Sequence, residues 1–117
     1  MNKRLTGALW ERIVTEYLKR QGYTILEKNF RCREGEIDLI AREEGYLVFI
    51  EVRYRKTEAK GHPFETVNTA KQRKICRVSR YYLMKNGISP DIPVRYDVAA
   101  VLGDKIEVMK NAFSYQI

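Results

Sequence analysis

The stretch that decides the fold is Gly35-Glu36-Ile37-Asp38-Leu39-Ile40-Ala41, followed after a short turn by Leu47-Val48-Phe49-Ile50-Glu51-Val52-Arg53. The first segment alternates strictly from Glu36 onward, which predicts a half-buried β-strand. The four consecutive apolar residues of the second segment predict a central strand that is buried on both faces. The turn at Glu43-Glu44-Gly45 is short enough to join the two strands as a hairpin.

The remaining chain adds further strands and two helices to this hairpin. Apolar residues at helical spacing predict helices over residues 6–21 and 68–86, with Asn68 as the N-cap of the second helix. Further strands are predicted over residues 23–30, 94–102 and 105–109, with a basic turn over 31–35. The predicted fold is α/β, a mixed central sheet flanked by helices in the order α-β-β-β-α-β-β, in one domain spanning residues 1–117.

Composition favours a soluble cytoplasmic protein with a polyanionic partner. The 117 residues are 44% hydrophobic and 32% charged, and no run approaches the roughly 20 apolar residues of a membrane helix. No apolar block follows the basic start at residues 1–5, so we expect neither a secretory signal nor a membrane partner. Cys32 and Cys76 lack metal-ligand spacing, as expected for free thiols in a reducing compartment. The net charge of +7 favours binding to nucleic acid.

The hairpin also predicts a cluster of carboxylates. Side chains two apart on a strand share a face, so Glu36 should lie beside Asp38, and Glu51 beside Arg53. Pairing across the hairpin can bring Asp38 and Glu51 within reach of one ion. Converging carboxylates repel one another, and a hard cation such as Mg²⁺ or Mn²⁺ relieves this while activating a water against a phosphodiester. The alternative is that these four side chains form a partly buried salt-bridge network at the sheet rim.

Several basic side chains surround this cluster. We expect four arginines to hold the phosphates of a nucleic acid, namely Arg31, Arg33, Arg53 and Arg55. The second helix carries Lys71 on the same row as its apolar residues, so its head either faces the sheet or extends past it into solvent. Lys74, Arg77 and Arg80 recur along the exposed part of that helix, where an ordinary solvated surface is the alternative.

The two central segments resemble the core of the YraN family of bacterial proteins, which is similar to archaeal Holliday-junction resolvases and to the PD-(D/E)XK nuclease superfamily. Further matches run along the chain, at Gly7, Glu11, Asn29-Phe30-Arg31, Lys71, Arg95-Tyr96-Asp97-Val98 and Asn111-Ala112-Phe113. The resemblance implies a restriction-endonuclease-like fold in which Asp38 and Glu51 bind Mg²⁺ or Mn²⁺ and a glutamate of the first helix, Glu11, approaches the site. The alternative for Glu11 is a solvated residue at the edge of that helix. Glu36, which shares a strand face with Asp38, is the other candidate to assist. The resemblance also implies DNA as the partner and, because a junction has two-fold symmetry, a homodimer.

One departure from the superfamily motif bears on catalysis. The motif ends in Lys, whereas this chain has Arg53, which stays charged and cannot transfer a proton near neutral pH. Lys71 is the candidate substitute. The sequence therefore leaves three hypotheses: a metal-dependent endonuclease acting on branched or single-stranded DNA, a nucleic-acid-binding module that keeps the nuclease fold without catalysis, and a protein-interaction adaptor whose acidic cluster is structural.

Overall fold

The computed structural model describes residues 3–116 and the side chains of residues 7–116. The expectation about residues 1–5 therefore falls largely outside the described part. The elements are α1 (Lys3–Arg20), β1 (Thr24–Cys32), β2 (Gly35–Glu43), β3 (Tyr46–Arg55), α2 (Thr69–Lys85), β4 (Val94–Leu102) and β5 (Lys105–Phe113). Two short 3₁₀ helices, Glu58–Lys60 and Pro63–Thr66, lie between β3 and α2. The predicted α/β class and the order α-β-β-β-α-β-β are confirmed.

The five strands form one mixed sheet in the order β1-β2-β3-β4-β5. Only the central pair, β3 and β4, is parallel, because α2 carries the chain back across the sheet between them. One sheet face packs under α2, around Phe49, Tyr82 and Tyr96. The other face packs under α1, around Val14 and Leu18. The central strand is buried on both faces, as predicted.

The first and last strands are longer than predicted. β1 continues through Arg31 to Cys32, so Asn29-Phe30-Arg31 is a strand segment, and only Arg33 and Glu34 turn the chain. β5 continues to Phe113 rather than ending at Met109. Both extensions pair with neighbouring strands: Arg31 pairs with Glu36, and Phe113 pairs with Tyr96. Pairing with the neighbouring strand thus overrides the local polarity of these segments.

The alternation predicted for β2 is interrupted at Asp38. Ile37 packs in the core under α2, whereas Leu39 packs in the core under α1. On a regular strand these two residues would share a face, so the strand turns over between them. The pairing of β2 with β3 also ends here, at Leu39 opposite Ile50. Asp38 therefore lies where the two strands begin to separate.

Helix α2 begins close to the point where β2 and β3 separate. The side chain of Asn68 accepts a hydrogen bond from the backbone N–H of Lys71 at 2.9 Å, which is the N-cap that the sequence predicts. This cap fixes Lys71 in the first turn of the helix.

No helix in the described part of the chain is long and apolar enough to cross a membrane.

Candidate active site

The carboxylate of Asp38 is held by the backbone of the neighbouring strand. One of its oxygens accepts a hydrogen bond from the backbone N–H of Val52 at 2.8 Å. The regular β2–β3 pairing has already ended at Leu39, so this bond satisfies an N–H that no strand partner reaches. The contact fixes Asp38 beside Glu51, the residue that precedes Val52 in the chain.

Asp38 and Glu51 form an interacting carboxylate pair. Glu51 is 4% exposed and Asp38 is half-buried. Burial, together with the charge and hydrogen bonding of Glu51, raises the pKa of Asp38 to about 7, against smaller opposing effects of the Val52 N–H and Lys71. A nearby positive charge would therefore shift Asp38 toward its ionised form at neutral pH.

Two cations already contact Glu51. One oxygen of this carboxylate lies 3.0 Å from a terminal guanidinium nitrogen of Arg53 and 3.2 Å from Nζ of Lys71. Lys71 thus faces inward, which is one of the two alternatives left open by the sequence. With both carboxylates ionised, the four side chains carry two negative and two positive charges. Glu51 and Arg53 therefore form an ion pair, as the other interpretation of the sequence expected, but Lys71 joins them and Glu36 pairs with Arg31 instead.

Arg53 has one donor without a partner. Its Nε is buried and makes no hydrogen bond to any described residue, although its terminal nitrogen contacts Glu51. Buried donors in proteins nearly always have an acceptor, so such an atom requires an explanation. A water held beside Nε inside the protein would satisfy it.

The donor set fits Mg²⁺ or Mn²⁺ better than a metal enclosed by protein ligands. Within residues 3–116, no group of three or more His, Cys, Asp or Glu side chains is arranged to hold an ion. Mg²⁺ usually binds to one or two carboxylates and keeps several waters. Asp38 and Glu51 would supply two adjoining hard oxygen ligands, a donor set that matches that mode of binding and not a zinc site with four protein ligands.

The other two predicted ligands make different contacts. Glu11 on α1 accepts a hydrogen bond from the side-chain amide of Asn29 at 2.8 Å, and Glu36 accepts one from Arg31 at 2.9 Å. Asn29 on β1 lies opposite Asp38 on β2, because the residues on either side of Asn29 pair with those on either side of Asp38. Among the described side chains, Glu11 and Glu36 thus bond to partners outside the Asp38–Glu51 pair.

Asn29 joins β1 to α1 in a way that the sequence did not predict. It lies within β1 but has φ of 52°, a left-handed conformation that asparagine tolerates better than most residues. In this conformation its amide group bonds to α1. An asparagine in the middle of an otherwise strand-like segment was the available signal.

The four predicted phosphate-binding arginines differ in environment. Arg31 is exposed and paired with Glu36, and Arg33 is exposed in the β1–β2 turn. Arg53 and Arg55 are half-buried toward the end of β3. Arg53 is therefore the one of these four that contacts the carboxylate pair.

A second charged cluster, which the sequence analysis did not identify as a unit, lies on the α1 side of the sheet. Arg95 donates hydrogen bonds to both oxygens of Asp97, at 2.8 Å each, and to Glu43 at 2.7 Å. The hydroxyl of Tyr23 donates to Asp97 at 2.7 Å. Burial and the bond to Asp97 raise the pKa of Tyr23, and Arg95 opposes this only in part. Burial also raises the pKa of Glu43, but hydrogen bonds from Arg95 and Lys110 outweigh this and hold it below its ordinary value.

This cluster is structural in its geometry. Its members Tyr23, Glu43, Arg95 and Asp97 are all at most 7% exposed, and they join the chain after α1 to β2 and β4. Each buried charge has a charged partner, as the energetics of burial require. The cluster lies toward the start of β4, where Arg95 pairs with Val48, whereas Glu51 pairs further along with Val98. It therefore supports the sheet away from the carboxylate pair.

Comparison with known proteins places the sequence among uncharacterised bacterial proteins. The family described as "Uncharacterised protein family UPF0102" matches residues 10–101, a range that includes all four side chains of the candidate site. A UPF0102 protein from Lachnoclostridium phytofermentans is 48% identical over 113 residues, covering 97% of this chain and 96% of the relative. A UPF0102 protein from Acetivibrio thermocellus is 46% identical over 122 residues, covering 96% and 93%. One from Saccharophagus degradans is 40% identical over 109 residues, covering 93% and 92%.

Proposed function

This chain belongs to the uncharacterised protein family UPF0102, which confirms the predicted YraN-family membership, and from that premise we propose that it is a metal-dependent DNA endonuclease acting on branched or single-stranded DNA. The observation that carries the proposal is the position of Asp38 beside Glu51 where β2 and β3 separate. Lys71 and Arg53 both contact the same oxygen of Glu51. Two acidic oxygen ligands adjoining two phosphate-binding cations suit phosphodiester hydrolysis.

Asp38 and Glu51 would hold Mg²⁺ or Mn²⁺, which supplies a polarised water and a counter-charge for the phosphate. The Val52 N–H keeps one oxygen of Asp38 in place, so the other oxygen remains available as a ligand. Because the pKa of Asp38 is about 7, its carboxyl is near its ionisation midpoint at neutral pH. Binding of a cation would therefore release a proton from Asp38 in part of the molecules.

Lys71 and Arg53 have separate roles in this proposal. Lys71 is half-buried, and its Nζ can leave Glu51 to donate hydrogen bonds to the attacking water or to a phosphate oxygen. Arg53 remains charged throughout, so it holds the phosphate and moves no proton. Its side chain is 31% exposed although Nε is buried, so the terminal guanidinium nitrogens are the donors that would reach a phosphate oxygen, an acceptor of suitable charge.

The second candidate function is a nucleic-acid-binding module without catalysis. Two observations favour it. Glu51 is already neutralised by Arg53 and Lys71, so the cluster is electrically balanced without a metal. The arginine at position 53 also replaces the lysine of the nuclease motif. In this case the same cations would bind phosphate, and no bond would be broken.

A cleavage experiment separates these two functions. Purified protein is incubated with labelled linear duplex, single strand, flap and four-way junction DNA, in Mn²⁺, Mg²⁺ or EDTA. The controls are Asp38→Asn, which removes one carboxylate of the pair, and Glu27→Gln, which removes an exposed carboxylate from β1. The nuclease proposal expects cleavage of a branched or single-stranded substrate only with metal, preserved in Glu27→Gln and reduced at least ~10²-fold in Asp38→Asn.

The remaining outcomes each favour a different account. DNA binding without cleavage by the wild type supports the binding module. Cleavage that persists unchanged in Asp38→Asn rules out the carboxylate pair as the active site. Absence of both binding and cleavage removes nucleic acid as the partner.

A further inference from the structure

The positive charge of this protein is concentrated in one helix. α2 contains six basic residues and no acidic residue among its 17 positions: Lys71, Arg73, Lys74, Arg77, Arg80 and Lys85. The whole chain carries 22 basic and 15 acidic residues, so the other 100 residues are nearly neutral, with 16 basic and 15 acidic. Six of the seven net positive charges therefore lie on α2.

These side chains form a continuous surface that begins at the carboxylate pair. Lys71, Lys74 and Arg77 follow one another at three-residue intervals, which rotates each about 60° from the previous one around the helix axis. Lys71 points inward to Glu51, whereas Lys74 and Arg77 are exposed. Arg73 and Arg80 are also exposed, about one helical turn before and one after Arg77, so these three arginines form an exposed row with Lys74 beside it. The cations thus lead from the candidate site to the outer surface of α2.

The β1–β2 turn packs against this row and holds part of it in place. The methylene stem of Lys74 lies over Gly35, where an added Cβ would approach its Cγ to 3.2 Å. Arg77 pairs with Glu34 of the same turn at 3.4 Å. Among the side chains that the structure describes, Arg73, Lys74 and Arg80 have no acidic partner within ion-pair distance. Arg33 lies in the same turn and extends the positive surface.

This charge pattern is unfavourable for the helix itself. Three cations, Lys71, Arg73 and Lys74, lie in the first turns, where the helix dipole favours negative charge. Like charges at Arg73 and Arg77, and at Arg77 and Arg80, also repel at four- and three-residue spacing. Each effect is on the order of a few tenths of a kcal/mol. Because these unfavourable placements of positive charge recur on one exposed surface, they point to binding of a polyanion.

The shape of the row favours a duplex over a single strand. Arg73 and Arg80 are about 10 Å apart along the helix axis, at about 1.5 Å per residue. One strand of a DNA duplex presents about three phosphates over that length. Surfaces that bind single strands add aromatic rings whose faces are free for base stacking, whereas the aromatic ring beside this row packs on another ring. The nearby exposed Tyr81 leans on Phe30, with ring centroids 6.2 Å apart.

We propose that the exposed row of α2, formed by Arg73, Arg77 and Arg80 with Lys74 beside it, binds the phosphate backbone of a double-stranded DNA arm. The arm leads toward Asp38 and Glu51, so duplex DNA is held on α2 while the strand to be cut enters where β2 and β3 separate. This inference rests on DNA being the substrate of the proposed function. It does not require that the protein cleave DNA.

The test compares two triple variants that remove equal charge. Arg73→Ala/Arg77→Ala/Arg80→Ala removes the exposed row of α2. Arg12→Ala/Lys19→Ala/Arg20→Ala removes three exposed cations from α1, on the opposite face of the sheet. Alanine keeps both helices favourable. Binding to labelled duplex and single-stranded DNA of equal length is followed by fluorescence anisotropy over a salt series, in EDTA so that cleavage does not interfere.

The proposal expects a large and local effect. For the duplex, the log–log salt slope of the α2 variant should be smaller in magnitude than that of the wild type by about 2.7, at about 0.9 for each of three lost phosphate contacts. Its low-salt affinity should fall at least ~10-fold, whereas the α1 variant should keep the slope to within about 1. Circular dichroism and the Tm verify that both variants fold.

Three results would overturn the proposal. Equal losses in the two triple variants would mean that only the overall charge matters. A larger loss for single-stranded than for duplex DNA would assign the row to a single strand. Absence of duplex binding by the wild type at low salt would remove DNA from this surface. Binding through α2 without cleavage in Mn²⁺ would instead leave this inference standing and remove the catalytic part of the proposed function.

Discussion

Replacing Asp38 with asparagine should stabilise the protein, and more so at alkaline than at acidic pH. The amide oxygen of asparagine can still accept the Val52 N–H bond, and its NH₂ can donate to Glu51 in place of a repelling carboxylate. In the wild type, folding keeps Asp38 protonated up to a pKa of about 7, whereas its ordinary pKa is 3.8. Stability linked to Asp38 is therefore fully present below about pH 4 and is lost as the pH rises to about 7.

The size of this effect follows from the two pKa values. They differ by about 3, which corresponds to roughly 4 kcal/mol at about 1.36 kcal/mol per pKa unit. Asp38 is only half-buried, so solvent reduces this value, and we expect Asp38→Asn to gain about 1–3 kcal/mol at pH 8. For a chain of this size, that gain raises the Tm by about 4–12 °C. Near pH 4.5 the gain should be less than about 1 kcal/mol.

The assay is urea unfolding of wild type and Asp38→Asn between pH 4.5 and pH 8.5 in EDTA. Glu36→Gln is the matched control, because Glu36 lies on the same strand and pairs with exposed Arg31 instead of Glu51. The free energy of unfolding of Glu36→Gln, relative to that of the wild type, should not rise with pH. A free-energy difference between Asp38→Asn and wild type that is constant across this range, or that grows toward acid, would refute the coupling of Asp38 with Glu51.

Three further predictions concern single side chains. Lys71→Ala should reduce metal-dependent cleavage by about 10²-fold or more in single-turnover kinetics, with DNA affinity little changed; an unaffected rate would exclude the substitute-lysine role. Arg53→Lys should retain or raise cleavage in the same buffer, and complete loss of activity would contradict Arg53 as a simple phosphate contact. Asp97→Ala should destabilise the protein by about 3–5 kcal/mol in urea, because it leaves Arg95 buried without the carboxylate that accepts two of its hydrogen bonds, whereas Tyr23→Phe should lose only about 1 kcal/mol. Equal effects of these last two changes would contradict the assignment of Asp97 as the main counter-charge.

The fold could be predicted because the sequence carries strong local signals. The four apolar residues of β3, the Glu43-Glu44-Gly45 turn and the Asn68 cap each specify an element with little ambiguity. The ends of β1 and β5 could not be predicted, because their polar residues form strands only through pairing with β2 and β4. The same holds for the turnover of β2 at Asp38, which depends on two opposed cores.

The candidate site was predictable in part. The adjacency of Asp38 and Glu51 follows from a hairpin, and the place of Lys71 on the inner row of α2 follows from helical spacing, whereas the sequence left open whether its head faces the sheet. The Val52 bond to Asp38 depends on the exact residue at which two strands separate, which local patterns do not reveal. The Arg95–Asp97–Tyr23 cluster joins residues more than 70 positions apart, so no local pattern could indicate it.

The central claim is that Asp38 and Glu51 act together as one site for a divalent cation. Calorimetric titration of Mn²⁺ into wild type, Asp38→Asn/Glu51→Gln and the surface control Glu27→Gln tests this most directly. We predict one saturable site in wild type and Glu27→Gln, absent from the double variant, with proton release near pH 7 because the pKa of Asp38 is about 7. Identical heats for the wild type and the double variant, after dilution controls, would contradict the claim.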